Sequence, residues 1–181
     1  MEQLAAIVDG HAEARFFERS ANAFVLRSIN NGRDVPLEHI EADIAESLQI
    51  LPYRIKNILI VFDREQREQS AASIVQQIAA SVAPLLGDRA AAIGVKDIQI
   101  ENWLLADEKR VSELFKQDDY RYVLESKPGK PELRRLLGYS PSPVDIADML
   151  KSSAPSRIRT TSDSFNLFHA QCKCDWWWLK T

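Results

Sequence analysis

The run Ile58-Leu59-Ile60-Val61-Phe62 constrains this chain more than any other stretch, because it ends at once in Asp63-Arg64-Glu65. Consecutive apolar residues of β-branched and aromatic type describe a strand buried on both faces, the condition of a central strand in a parallel sheet. Open α/β sheets place their ligands at the C-terminal ends of such strands. On an extended chain, side chains two residues apart point the same way. Asp63 and Glu65 are therefore expected to lie close, and to repel unless a cation sits between them. The plainer alternative is a pair of solvated loop carboxylates.

A second apolar run, Leu4-Ala5-Ala6-Ile7-Val8, is followed by Asp9-Gly10-His11-Ala12-Glu13. Residues 12–22 then read as a helix with Phe16, Phe17 and Ser20 on one side. Residues 24–29 read as a strand, which Asn31-Gly32 ends. Leu37, Ile40, Ile44, Leu48 and Leu51 recur at helical spacing, and Pro52 closes that helix. Ser70 is placed to cap a helix over 71–82 that buries Ile74, Val75, Ile78 and Val82, with Leu85-Leu86-Gly87-Asp88 as its exit. Residues 90–95 form a further strand. This alternation argues for a parallel sheet with helices on both faces. Right-handed crossovers bring the ends of the first and third strands to one edge. Asp9, Glu13, Asp63 and Glu65 are thereby expected to meet.

These two strings resemble the signatures of the TOPRIM domain: an apolar strand ending Glu-Gly with a second acid shortly after, and an apolar strand ending Asp-x-Asp. Asp9 stands where that family normally has Glu, and Glu65 where it often has Asp. Each difference changes carboxylate reach by one methylene. Glu101-Asn102-Trp103-Leu104-Leu105-Ala106-Asp107 resembles a signature of small prokaryotic TOPRIM-like proteins, grouped as a domain of unknown function near the RloB-like proteins. Lys127-Pro128-Gly129-Lys130-Pro131-Glu132 and Ser164-Phe165-Asn166-Leu167-Phe168 are similar to later elements of the same group.

The resemblance implies an α/β fold with a TOPRIM-like (Rossmann-like) parallel sheet flanked by helices and a helical C-terminal extension. A single domain would span 1–181, with the core sheet and acids in 1–107 and helical elaboration in 108–181. It implies Mg²⁺- or Mn²⁺-dependent cleavage of nucleic-acid phosphodiesters. Asp9, Glu13, Asp63 and Glu65 would hold the metal, and Glu13 or Glu101 would act as general base. Read on its own, Glu101 is equally a first-turn acid favoured by a helix dipole. In TOPRIM nucleases of the overcoming-lysogenization-defect type, similar sites work beside an ATPase. This chain has no G-x-x-x-x-G-K-[ST] string, so an ATPase would be a separate protein, in a pair acting against phage and mobile DNA. Two other readings stay open: a non-catalytic binding or assembly subunit with a degenerate site, and a small-molecule phosphotransferase.

Composition limits the classes. The chain has 181 residues, 45% hydrophobic and 27% charged, as expected of one soluble globular domain with a real core. No apolar run reaches membrane-spanning length and no basic-then-apolar leader is present, so a cytoplasmic protein is expected. The net charge of −3 is uneven: residues 1–120 hold 13 basic and 20 acidic side chains, residues 121–181 hold 10 and 6. An acidic half beside a basic half suits an enzyme acting on polyanions.

The basic candidates are Lys127 and Lys130 for substrate phosphate, with Arg134 and Arg135 better read as a solvated helix face. Residues 144–151 read as a helix and 152–162 as a loop, from which Arg157 and Arg159 could also reach phosphate. His169, Cys172 and Cys174 make a poor zinc set, lacking a fourth ligand and the usual cysteine spacing. Trp176, Trp177 and Trp178 cannot all face one side, so core packing or a partner is expected to take at least one. A homo-oligomer remains open. His11 has no motif around it beyond its place in the first acidic loop.

Overall fold

The computed structural model describes residues 4–124 and 126–180. Its centre is a four-stranded, all-parallel sheet in the order β2-β1-β3-β4, formed by β1 (Leu4–Val8), β2 (Phe24–Arg27), β3 (Asn57–Asp63) and β4 (Ala90–Lys96). The fold is α/β and Rossmann-like, with helices on both faces. No described helix is long and apolar enough to cross a membrane.

Strand periodicity sorts the side chains into two cores. Ala5, Ile7, Ile58, Ile60, Phe62, Ile93 and Val95 face α2 (Leu37–Ile50) and α3 (Ala71–Leu86). Leu4, Ala6, Val8, Leu59, Val61 and Ala92 face the opposite layer. That layer holds α1 (His11–Ala21), α4 (Ile100–Leu105), α6 (Gly129–Leu137), α7 (Pro143–Lys151), α8 (Pro155–Thr161) and α9 (Asp163–Gln171). The short α5 (Glu108–Phe115) contributes Val111 to the same core. The C-terminal third is thus one layer of the sandwich. Its apolar residues cover the sheet on the face that α1 alone cannot cover.

Several boundaries differ from expectation. The helix after Ser70 does not stop near Val82 but runs through Pro84 to Leu86. The segment expected as a loop over 152–162 holds α8, entered through Pro155 at its first turn and anchored by buried Ile158. Its Ser, Thr and Arg content describes an exposed face, and one apolar residue per turn is enough to seat so short a helix. β4 is one residue longer than expected and ends in Lys96, a difference that matters at the site below.

The later motifs are structural joints. Trp103 Nε1 donates to Ser164 Oγ at 2.9 Å, and the Trp103 ring stacks on Phe168 and meets Phe165 edge-on. Gly94 lies beneath them, where an added Cβ would come within 2.9 Å of both Phe168 and Trp103. Gln171 pairs its amide with the backbone N–H and C=O of Ile93 on β4, taking the place of a further strand. Trp176 and Trp178 are buried and donate to Ser20 O and Ser153 O, while Trp177 is exposed. Core packing therefore takes two of the three tryptophans.

Candidate metal centre

The site forms where β1, β3 and β4 end, and each of its parts has a local cause. Asp9 follows β1 directly. Gly10 is the N-cap of α1 at φ −116°, a conformation open to any residue, so backbone freedom does not explain it. Space does. Glu13 turns back over the helix start, and a Cβ at Gly10 would fall 2.1 Å from Glu13 Oε2. The Asp-Gly-x-x-Glu spacing is what lets one helical turn deliver a second carboxylate beside the first.

β3 delivers Asp63, and its register partner on β4 is Lys96. In a parallel pair such partners stand on the same face. Lys96 is fully buried, with Nζ 3.1 Å from Asp9 Oδ1, 2.8 Å from Asp63 Oδ1 and paired with Glu13 Oε1. Asp9 Oδ2 is held by Asn31 Nδ2 at 2.8 Å and by the Asp63 backbone N–H at 2.7 Å. Asn31 is oriented in turn by Arg67, whose Nη2 donates to Asn31 Oδ1 at 2.9 Å. Neither Lys96 nor Asn31 was singled out from sequence as a site residue. Ending the strand at Val95 hid the lysine, and Asn31-Gly32 read only as a turn.

The electrostatics are uneven. Burial works to raise the Asp9 carboxyl, but Lys96, Asn31 and the Asp63 N–H outweigh it and hold it below its ordinary value. Burial pushes the Asp63 carboxyl well up, and Asp9 and Glu13 add to this against the pull of Lys96. Asp63 Oδ1 also receives no aligned hydrogen bond, despite its nearness to the ammonium. Burial alone would lower Lys96, yet Asp63, Asp9 and Glu13 hold it well above the usual lysine value.

Asp9, Glu13 and Asp63 each offer an oxygen within 4.8 Å of the others. Glu65, expected to join them, does not belong to this group. The strand ends at Asp63, and Glu65 sits at φ 55° in the left-handed region, so the same-side rule for extended chain no longer applies. Glu101 stands in the first turn of α4 and is 3% exposed. It lines a cleft of about 260 Å³ together with His11, Glu13, Asp63, Gln99 and Lys130, walled by Pro141, Pro143 and Ile146. Burial raises its carboxyl above the ordinary Glu value; Lys130 and Lys96 act against this and Glu13 with it. A larger cleft of about 410 Å³ lies over Arg64 and Asp97, but those two pair with each other at 3.0 Å.

The basic candidates separate. Lys130 borders the acidic cleft, whereas Lys127 and Arg159 are exposed without lining it. Arg157 is committed elsewhere: its Nε and Nη2 pair with the fully buried carboxylate of Asp107 at 2.6 and 2.8 Å. It is a structural tie between α5 and α8, which corrects its assignment to phosphate.

The donor set suits a hard divalent cation, being all oxygen. With all three carboxylates ionised, Lys96 would balance one of three negative charges, leaving two. Asp63 Oδ1 is a buried carboxylate oxygen still short of a well-directed partner. On these grounds the three carboxylates could hold a metal ion. Protein-family models, curated proteins and solved structures give no match to this chain.

Proposed function

We propose that this chain is a metal-dependent phosphodiesterase of the TOPRIM type that cleaves nucleic acid. The observation that carries the reading is the meeting of Asp9, Glu13 and Asp63 at the C-terminal edge of a parallel sheet, beside a cleft bordered by Lys130. Asp9, Glu13 and Asp63 would hold Mg²⁺ or Mn²⁺, which when bound supplies charge neutralisation at the phosphate and an activated water. Glu101, buried beside the cleft with its carboxyl raised, is suited to take a proton from the attacking water. Lys130 is placed to attract a phosphate group to the cleft mouth. DNA or RNA is the substrate class, and a separate ATPase is the partner class in this reading.

Lys96 favours a second reading. Its ammonium already occupies the place between the three carboxylates, where a degenerate site in a non-catalytic assembly subunit would put it in lieu of a metal. Calorimetry with Mg²⁺ and Mn²⁺ on the wild type and on Asp63→Ala separates the two. Binding that is lost in the variant, with metal-dependent cleavage of DNA or RNA, supports the nuclease. Absence of binding by the wild type, even with nucleic acid present, selects the assembly subunit.

A further inference from the structure

We propose that Lys96 sets the cation affinity of this centre, acting as a built-in counter-ion that a divalent ion must displace. The inference rests on the metal-dependent reading above and deepens it.

The argument turns on which oxygens are free. Asp9 Oδ2 already accepts from Asn31 Nδ2 and from the Asp63 N–H, leaving only Oδ1 for a cation. That oxygen is 3.1 Å from Lys96 Nζ. Glu13 Oε1 and Asp63 Oδ1 face the same ammonium. A metal ion that draws on Asp9 must therefore compete with Lys96 for Oδ1, and it loses to the ammonium the nearer oxygens of Glu13 and Asp63 while Lys96 stays where it is.

Lys96 is also well anchored in that position. It is fully buried, it ends a strand paired in register with β3, and its carbonyl accepts from Arg64 N at 3.0 Å. An ammonium is strongly hydrated and remains in such a place only because the carboxylates replace its water. Displacing it therefore costs binding energy that the divalent ion must supply. The side chain has somewhere to go. Glu101 lies close enough to feel the lysine charge, and it lines the cleft that Glu13 and Asp63, two partners of Lys96, also line. The backbone of β4 need not move, since four methylenes give the ammonium its reach.

The test is Mn²⁺ titration by calorimetry of the full chain and of Lys96→Met, which keeps an unbranched side chain of similar length and removes the charge. The variant is expected to bind Mn²⁺ at least about tenfold more tightly, since ligand charge sets cation affinity at oxygen sites. Equal or weaker binding by a folded Lys96→Met, beside a wild type that does bind, overturns the inference and leaves the metal site standing. No binding by either protein removes the metal reading itself, and this inference with it.

Lysine-directed labelling read by mass spectrometry tests the wild type independently of whether the variant folds. Lys96 is expected to be protected without metal and to become reactive at saturating Mn²⁺. Continued protection at saturation overturns the inference.

Discussion

Asp63 and Lys96 are register partners at the ends of neighbouring parallel strands, and their charges lie 2.8 Å apart. The pair does not balance, because Asp9 and Glu13 share the same lysine. Burial and these two acids raise the Asp63 carboxyl well above its ordinary value. A carboxyl raised on folding binds more protons in the folded state, so its ionisation opposes folding. Metal-free stability should therefore fall as pH rises from the ordinary Asp value through the raised one. Asp9 acts oppositely: its lowered carboxyl stabilises above the ordinary Asp value and loses that contribution as pH falls through the lowered one. Asp63→Asn is expected to remove the first effect, raising metal-free stability by about 1 kcal/mol, or about 2–4 °C in melting temperature, near neutral pH. The same variant should lose Mn²⁺ binding. Thermal melts across pH check the first outcome and calorimetry the second; a lower melting temperature for the variant at neutral pH contradicts the account.

Gly10→Ala isolates the placement of Glu13. The N-cap backbone at φ −116° accepts alanine without strain, so the added methyl acts only on the Glu13 carboxylate 2.1 Å away. That carboxylate must leave its place beside Lys96. The expected outcome is a folded protein, within about 1 kcal/mol of wild-type stability, whose Mn²⁺ affinity falls at least about tenfold through the loss of one carboxylate ligand. Unchanged affinity in calorimetry means that Glu13 is not a ligand.

Much of this was legible in the chain. The apolar runs at Leu4–Val8 and 58–62 pointed to buried parallel strands because they are short, continuous and, in the second, rich in β-branched residues, and each ends abruptly in charge. Their endings located Asp9 and Asp63. Glu65 was misplaced because side-chain alternation holds only while the chain stays extended, and nothing in Arg64-Glu65-Gln66 announces a left-handed residue. Lys96 was hidden by a boundary: Ala92, Gly94 and Lys96 share a face, yet a lysine after an apolar run reads as the first solvated residue. Its burial depends on three acids contributed from elsewhere in the sequence. Long-range charge pairing of this kind has no local signature.

Arg157 and Arg159 should part company under mutation. Arg157→Ala leaves the carboxylate of Asp107, 0% exposed, with backbone donors from Arg110 and Ala154 as its remaining partners among the described residues. A buried charge that loses its partner is costly, and a loss of about 2–3 kcal/mol is expected. Arg159→Ala, on the exposed face of α8, should stay within about 0.5 kcal/mol. Urea denaturation of the two variants checks the difference. A stable Arg157→Ala with weakened nucleic-acid binding would return this residue to the phosphate candidates.

Asn102 ties down the start of α6, the helix that carries Lys130. It is fully buried, and its Nδ2 donates to Lys127 O at 2.8 Å and Leu124 O at 3.2 Å, while its Oδ1 accepts from Gly129 N at 3.1 Å. α6 starts so close to α4 that a Cβ at Gly129 would lie 2.9 Å from the Asn102 backbone nitrogen. Backbone cannot yield as a flexible side chain can, so Gly129→Ala is expected to destabilise the protein by about 1–3 kcal/mol. In the nuclease reading it should also displace Lys130 from the cleft. Lys130→Ala separates the two consequences: stability should be unchanged within about 0.5 kcal/mol, while affinity for single-stranded DNA or RNA falls and the slope of binding against salt shrinks by about one ion. Lys127→Ala, outside the cleft, is expected to alter the salt slope less. Equal effects of the two lysines would mean that the charge of this segment acts diffusely rather than through the cleft.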